Sequence, residues 1–299
     1  MIIGHEYEEY CVSIEQYIGK FIVSCHDLGK NKDKDHIEQK YIEMCTEASE
    51  YLTQKFSVVK DNDMYEFFSI YITTFHNYML KNSQTINADL NYLFSSAIRK
   101  YRDILYCKFN QDYESGIILT KSLYENILIM DFLSLHRDCI KTYIDHSVYI
   151  LTNRLLSKIG KSKEKNIDIL KKNIDELKAK YGEDIDADYG WAKSVIKKDN
   201  ITSKDIHEII LGNIVPIDMM NEIVFDLIFS NVSGFARLQI TGEDNLKLLL
   251  NKNLEVFCVQ MLVKCFYDMF CDDNYFEANI FLKISEFSLE KWGYNFNIR

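Results

Sequence analysis

Ionisable side chains interrupt the most apolar stretch of the chain, residues 113–150. Lys121, Glu125 and Asp131 lie there among isoleucines, leucines and aromatic residues. Lys121 and Glu125 are four residues apart, which makes them neighbours on one face of a helix. Because charges within an apolar helix must be paired or neutralised, two interpretations stay open. They form a structural ion pair in a core helix, or they belong to a polar patch that faces a cleft.

Side chains that could transfer protons follow in the same stretch. His136 and Arg137 come after the apolar helix, and His146 lies farther along. Histidine titrates closest to neutral pH and serves in general acid–base catalysis. Together with Lys121, Glu125 and Asp131, these residues could line a polar pocket. The alternative is that each histidine has only a structural partner, and both interpretations stay open.

A second constellation, His26-Asp27, lies near the N-terminus. The segment Ser24–Lys30 resembles the His-Asp core of metal-dependent HD phosphohydrolases, in which adjacent histidine and aspartate at a helix end share a metal. His5 and His36 are the nearest further histidines, and the spacing from His5 is short for that family. The alternative interpretation is a polar helix end in front of a glycine.

An acidic run, Asp184-x-Asp186-x-Asp188, is similar to the start of a calcium loop. Such a loop needs glycine at its sixth position and glutamate at its twelfth, and here those positions are Tyr189 and Val195. A solvated acidic turn is the better interpretation, and no metal or cofactor is predicted. The chain also contains no nucleophile elbow, phosphate-cradling glycine loop or dinucleotide fingerprint.

The composition predicts a helical fold. The chain has 299 residues, 47% of them hydrophobic, but only 11 glycines and one proline. A β-rich chain of this length needs many more turn-forming residues, so the predicted fold class is all-α, a multi-helix bundle. The net charge of −10 opposes broad DNA binding through phosphates and binding to an anionic membrane surface.

Eight cysteines are scattered through helical patterns without a Cys-x-x-Cys motif. Their spacing is typical of buried free thiols and argues against a zinc site. The first residues, 1–9, lack the basic-then-apolar order of a signal peptide. Both observations predict a reducing, cytoplasmic location.

Apolar periodicity places the helices that would position these residues. A helix at 62–81 is rich in aromatic residues, and the absence of interleaved cations indicates packing rather than nucleobase stacking. A charged helix within 161–189 has only a narrow apolar seam and is interpreted as a projecting segment. Thr202 and Asp205 match a capping box for a helix at 203–211. Further helices are expected at 6–25, 36–55, 85–109, 137–158, 244–271 and 274–290, with one more beginning near Pro216.

The chain contains no tandem repeat or low-complexity linker. An N-terminal helical region, 1–110, and a central and C-terminal helical region, 111–299, are therefore expected to form one continuous unit. Self-association through apolar helix faces would suit such a unit.

Three signatures, in this order, resemble a family of bacterial all-helical proteins of unknown function that is distantly similar to the HEPN domains. The first is Lys121-x-x-x-Glu125 in an apolar helix, and the second is Trp191 after a charged helix. The third is the segment 225–234, which contains Ser230 and Ser233. The resemblance covers roughly residues 113–240 and rests on the order of the motifs.

Two positions depart from the family pattern. Such proteins carry arginine where Lys121 stands and histidine where Ser233 stands. HEPN ribonucleases have an arginine followed four to six residues later by a histidine; the nearest arrangements here are Lys141-x4-His146 and the longer Arg137-x8-His146. RNA cleavage needs a proton shuttle and a cation near the phosphate, and serine does not titrate near neutral pH. These departures favour binding over cleavage.

The resemblance implies a non-enzymatic binding or assembly protein in bacterial stress or phage defence. Its target would be a protein partner or a second copy of the chain, with RNA as an alternative. One alternative function is a divergent HEPN-like ribonuclease that uses Arg137 or Lys141 with His146, and another is an HD-type phosphohydrolase that uses His26 and Asp27. The expected binding residues are Lys121, Glu125, Asp131, His136, Trp191, Ser230 and Ser233.

Overall fold

The fold is all-α, as the composition predicts. The structure, a computed structural model, describes residues 5–29, 34–59, 63–82, 87–159, 165–211, 255–272 and 274–294. These residues form ten α-helices and two short 3₁₀-helices and contain no strand. The α-helices are α1 (His5–Gly29), α2 (Lys34–Val59), α3 (Met64–Asn82), α4 (Ala88–Phe109), α5 (Tyr113–Leu135), α6 (Cys139–Ile159), α7 (Lys165–Tyr181), α8 (Ser203–Leu211), α9 (Glu255–Phe270) and α10 (Tyr275–Lys291). The 3₁₀-helices, Gly182–Asp186 and Gly190–Ala192, lie between α7 and α8 in the chain.

The chain folds into two compact units. The larger unit combines Met1–Met130 with Ile214–Arg299, and the smaller unit is Asp131–Asn213. The regional boundary near residue 110 that the sequence suggests therefore falls inside the larger unit. The physical reason is that the C-terminal helix α10 packs against α2, and α9 packs against α3 and α4. Packing between such distant segments leaves no mark in the local composition.

An aromatic cluster fills the core of the larger unit. The ring centroids of Phe266 and Phe281 lie 4.0 Å apart, and Phe75 approaches Phe281 at 5.1 Å. Tyr71 stacks on Phe281 at 5.2 Å and donates its hydroxyl hydrogen to the Phe281 carbonyl at 3.1 Å. Because Tyr71 and Phe75 belong to the aromatic helix α3 and are buried, the prediction that this helix packs in the core is confirmed.

Helix α5 is largely buried but keeps one open face. Its buried apolar residues include Leu123, Ile127 and Met130. Two of its apolar residues are exposed, Ile118 at 57% and Leu135 at 53%. Ile118 shares a face with the partly exposed residues Ser122 and Glu125, which follow at helical spacing, and Leu135 is the last residue of the helix.

In the smaller unit, α7 packs along α6 through the narrow seam that its sequence predicts. Ile174 of this seam is buried with Tyr149 of α6 and Ile185 of the first 3₁₀-helix, and Leu177 packs against them. Most of the other described side chains of α7 are exposed. The charged residues therefore form the solvated face of α7, and the apolar stripe forms its contact with α6.

Helix α8 begins where the capping box predicts. The Asp205 carboxylate accepts the Thr202 backbone N–H at 2.8 Å and the Thr202 hydroxyl at 2.7 Å, and Lys198 donates to the same carboxylate at 2.7 Å. These hydrogen bonds, first that of Lys198, lower the pKa of Asp205 to about 2. The predicted helix near Pro216 and the first part of the helix predicted at 244–271 lie outside the described residues.

All eight cysteines are free thiols, and five of them are buried. Burial raises the pKa of the Cys25 thiol to about 12, so this side chain stays protonated and behaves as a small apolar group. Across the described helices, none combines the length and the apolar character that crossing a bilayer requires.

Candidate functional site

His146 is buried on α6 and joined to the segment that follows α7. Its Nε2 donates a hydrogen bond to the Ala187 carbonyl at 2.9 Å. Since a carbonyl oxygen only accepts, Nε2 carries the proton of the neutral ring and Nδ1 remains an acceptor. Burial lowers the pKa of His146, and the Ala187 carbonyl and Asp188 oppose that shift only in part. The imidazole is therefore neutral at neutral pH.

Trp191 lies in the second 3₁₀-helix, where it is only 3% exposed. The rings of Phe132 and Tyr143 meet it nearly at right angles, with centroids 5.3 and 5.1 Å away. Glycine is required directly before it, because a Cβ atom on Gly190 would lie 1.7 Å from the Asp184 carbonyl oxygen. This close backbone approach is what positions the tryptophan after the charged helix.

Three polar contacts fasten the segment between α7 and Trp191 to its surroundings. The Tyr149 hydroxyl of α6 donates to Asp186, and Lys178 of α7 lies 3.2 Å from the same carboxylate. Lys193 donates to Asp184 at 2.5 Å. The hydrogen bond from Tyr149, followed by that from Lys178, lowers the pKa of Asp186. Two of the three carboxylates of the acidic run, Asp184 and Asp186, therefore make structural contacts with lysines.

A cavity of about 250 Å³ lies between α6, the end of α7 and this segment, within the smaller unit. It is partly open to solvent. Thr142 and His146 are four residues apart, so one face of α6 forms a wall. The lining residues are Thr142, His146, Tyr181, Asp184, Ile185, Gly190, Trp191, Lys193 and Ser194.

The lining offers hydrogen bonds and little net charge. Thr142 and Ser194 provide hydroxyl groups, and Trp191 provides an indole N–H donor. Among the described residues that line the cavity, the one cation, Lys193, is bound to the one carboxylate, Asp184, so these two charges largely cancel. Ser194 also lies 3.3 Å from the Cys139 sulfur, and this contact holds the hydroxyl oxygen beside α6. Such a lining suits recognition of a polar molecule without a large charge.

Of the residues singled out from the sequence, His146 and Trp191 come together at this cavity. Lys141 does not line it. Its side chain is 77% exposed and pairs with Asp145 at 3.8 Å. Five residues separate Lys141 from His146, which is roughly 140° around a helix, so the two side chains leave α6 on different sides.

The turn between α5 and α6 holds two further candidates of the smaller unit. The His136 ring lies 4.7 Å from that of Phe132, and Arg137 is partly buried. Neither residue is part of the cavity lining. Asp131, at the start of this unit, is fully buried in α5.

In the larger unit, Lys121 and Glu125 form the ion pair that their spacing predicts, at 3.8 Å. The pair is not enclosed, since its side chains are 29% and 42% exposed. Lys100 of α4 approaches the same helix and donates to the Ser122 carbonyl at 3.2 Å. The contacts fit a structural ion pair on a helix surface. Ser230 and Ser233 lie outside the described residues.

His26, the centre of the second constellation, contacts α10. Its Nε2 lies 3.1 Å from a Glu277 carboxylate oxygen, and its ring lies 4.1 Å from that of Phe276. Among the residues that the structure describes, no group of three or more histidine, cysteine or acidic side chains is arranged to hold a metal ion. These contacts match the interpretation of a polar helix end.

Sequence reasoning missed several of the lining residues. Thr142 lies one turn before His146 on α6, and this spacing could have predicted that both side chains project from the same face of the helix. Lys193 and Ser194 lie two and three positions after Trp191. Tyr181 carried no local signal, because its place depends on its hydroxyl donating to Asp145 at 2.6 Å, across 36 positions of the chain.

Comparisons with protein-family models, with curated proteins and with solved structures give no match to this chain.

Proposed function

We propose that this protein is a non-enzymatic binding protein whose smaller unit receives a small, uncharged polar ligand. One observation carries the proposal: polar side chains from α6 and from the segment after α7 line a single cavity. Binding pockets typically combine an apolar wall with a few convergent polar groups. Here Ile185 and Trp191 form the apolar wall, and Thr142 and Ser194 supply the polar groups.

The charges at the cavity favour an uncharged ligand. Lys193 is bound to Asp184 at 2.5 Å and lies 3.8 Å from Asp199. A phosphate that approached Lys193 would also meet these two carboxylates, and their like charge would oppose its binding. A neutral ligand meets no such opposition and can use the hydroxyl and indole groups directly.

The cavity also limits the size of the ligand. Its volume of about 250 Å³ is several times the roughly 30 Å³ that a water molecule occupies in the liquid. It lies just below the usual range of pockets for larger organic ligands. A compact organic molecule is therefore a better match than a single ion or a polymer.

The geometry supports binding better than the ribonuclease alternative. General acid–base catalysis on RNA needs a titrating group and a cation that reach the same phosphate. The Nε2 atom of His146 is occupied by the Ala187 carbonyl, and Lys141 leaves α6 on another side. The free thiols are consistent with the predicted cytoplasmic location.

Tryptophan fluorescence offers a direct test. The chain has two tryptophans, so Trp292→Phe leaves Trp191 as the only indole. This protein would be titrated with a panel of uncharged polar compounds that includes adenosine and uridine, each compared with its 5′-monophosphate. We expect a saturable change of Trp191 emission with one or more uncharged compounds, and weaker binding of any phosphate-bearing counterpart.

Two variants separate specific from incidental binding. Thr142→Val keeps the shape of the side chain but removes the hydroxyl, and should weaken binding by about tenfold, which corresponds to the loss of one hydrogen bond to the ligand. Ser147→Ala is the control, because this hydroxyl is exposed on the same helix and donates to Tyr143 instead. Equal effects of both variants, or tighter binding of the monophosphates, would contradict the proposal.

A further inference from the structure

Helix α6 carries an apolar stripe on residues that do not line the cavity. We define the α6 seam as Ile144, Val148, Leu151 and Leu155, which follow one another at steps of four, three and four. Val148 is 46% exposed, Leu151 61% and Leu155 42%, and Ile144 is partly exposed. Three consecutive members of the seam are thus open to solvent.

The spacing of the seam is that of helix pairing. Steps of three and four repeat every seven residues and correspond to the positions that face the partner in a coiled coil. Contiguous exposed apolar residues are uncommon on monomeric proteins and mark interaction surfaces. The seam contains only branched aliphatic side chains, which interlock well with another helix.

Basic side chains flank the α6 seam. Lys141 at one end and Arg154 and Lys158 at the other are all exposed. The only acidic residue of α6, Asp145, accepts from Lys180 at 2.8 Å and from Tyr181 at 2.6 Å on the α7 side, and Lys141 also lies 3.8 Å from it. Although the whole chain has a net charge of −10, the exposed charged side chains of α6 beside the seam are therefore basic, and Arg154 and Lys158 at its C-terminal end are the ones farthest along the helix from Asp145.

We propose that the α6 seam binds an amphipathic helix of a partner protein, one that carries acidic residues beside its own apolar stripe. Helix-in-groove recognition uses apolar anchors at this spacing. The flanking charges then select the partner and its orientation, as charged positions do in coiled coils. This proposal does not depend on the ligand cavity, because none of the four seam residues lines it.

Charge complementarity disfavours a second copy of the chain on the same seam. In an antiparallel pair that sets Val148 of one copy beside Leu151 of the other, Lys141 would face Lys158 in the end layer. In a parallel pair each cation would face its own counterpart. Like charges at such positions oppose pairing. A membrane surface is also disfavoured, because the seam lacks the aromatic residues typical of interfacial helices and the chain is acidic.

Two synthetic peptides test the proposal with the full chain. Both have the same isoleucine and leucine seam over four heptads, but one carries glutamate and the other lysine at the flanking positions. We expect the glutamate peptide, measured by fluorescence anisotropy, to bind at least about tenfold more tightly at low ionic strength. This preference should shrink in roughly 0.5 M salt, where charges are screened beyond a few ångströms.

The chain offers a matched control for the seam itself. Leu151→Asn places an amide at the centre of the seam, and Ile169→Asn makes a similar change at a position on α7 that is 59% exposed, against 61% for Leu151. We expect Leu151→Asn to weaken glutamate-peptide binding by about tenfold or more and Ile169→Asn to leave it unchanged. The double change Arg154→Glu and Lys158→Glu should reverse the preference between the two peptides.

Several results would overturn the proposal. One is equal binding of the two peptides, and another is equal loss in both asparagine variants. Sedimentation that shows a dimer abolished by Leu151→Asn would assign the seam to a second copy. Binding to vesicles of anionic phospholipid that is lost in the same variant would assign it to a membrane surface. Absence of binding by either peptide would also refute it.

Discussion

His146 and Ala187 are joined by a hydrogen bond of 2.9 Å that runs from Nε2 of the ring to the backbone carbonyl. The bond connects α6 with the segment that carries Trp191. Because the carbonyl fixes Nε2 as the donor, it also fixes the neutral tautomer of the ring. Three residues later, Tyr149 donates to Asp186 of the same segment. One side of α6 therefore holds both the imidazole and the backbone that complete the cavity wall.

Acid should destabilise this protein at a pH set by its buried histidines. Burial lowers the pKa of His76, His146 and His207 below the ordinary value of 6.5. Below that value the unfolded chain binds protons that the folded chain resists, so the free energy of unfolding falls as the pH decreases. The stability that depends on these histidines being neutral is fully present above about pH 6.5 and is lost progressively below that pH. Urea denaturation at about pH 7.5, 6.5 and 5.5 would measure this trend.

A histidine variant provides the control for this pH dependence. His146→Gln retains an N–H donor but cannot be protonated, so the decline below about pH 6.5 should be shallower than in the unaltered protein. The carboxylates with lowered pKa, Asp145, Asp186 and Asp205, respond at lower pH and do not interfere. Equal stability across the three pH values would contradict the prediction.

Gly190 should be much less tolerant of alanine than Gly182. A Cβ atom at Gly190 would lie 1.7 Å from the Asp184 carbonyl oxygen, which is backbone and can yield only if the segment moves. We expect Gly190→Ala to cost about 3 kcal/mol or more in the free energy of unfolding and to change Trp191 emission. Gly182 has φ +69° and no atom near an added Cβ. Gly182→Ala should therefore cost only about 1 kcal/mol.

Both glycine variants are measured by urea denaturation in the Trp292→Phe background, which isolates Trp191. Gly182→Ala should leave its emission unchanged, since that glycine does not line the cavity. Similar losses of stability in the two variants would show that backbone conformation, rather than the close approach to Asp184, determines the need for glycine.

The aromatic cluster should supply much of the stability of the larger unit. Phe266 is completely buried among Phe75, Phe94 and Phe281. Phe266→Ala should lower the free energy of unfolding by about 3–5 kcal/mol, because it removes apolar contacts and leaves a cavity. Tyr92→Ala is the comparison, since this ring is 68% exposed on α4 and its removal should change stability by less than about 0.5 kcal/mol. The free energy of unfolding of both variants would be measured by calorimetry. A loss of stability in Tyr92→Ala as large as that in Phe266→Ala would refute the prediction.

RNA degradation separates binding from the ribonuclease alternative. We expect purified protein to leave a labelled single-stranded RNA intact, with Lys141→Ala and His146→Ala indistinguishable from the unaltered chain. The physical reason is that His146 donates to a carbonyl while Lys141 pairs with Asp145 on another side of α6. Cleavage that disappears in His146→Ala, with helical content preserved by circular dichroism, would instead support the ribonuclease.

Local pattern in the sequence determined the helical class and many helix positions. The capping contact between Thr202 and Asp205 and the seam of α7 depend on residues three or four positions apart, and the sequence states such spacings directly. The ion pair of Lys121 with Glu125 follows from the same spacing. The exposure of this ion pair does not follow from its spacing, because exposure depends on which other helices cover that face of α5.

Tertiary structure alone decided how distant parts of the chain combine. Ser49 of α2 and Ser288 of α10 share a hydrogen bond of 3.0 Å across 239 positions of the chain. No local sequence pattern predicts this contact. His146 and Trp191 were both identifiable as candidates, but only the folding of the segment after α7 onto α6 brings them to one cavity. Lys141 is nearer to His146 in sequence than Trp191 is, but its side chain does not line the cavity. Helical periodicity fixes the side of a helix from which a residue projects, whereas its neighbours across the interface are chosen by the packing of the whole unit.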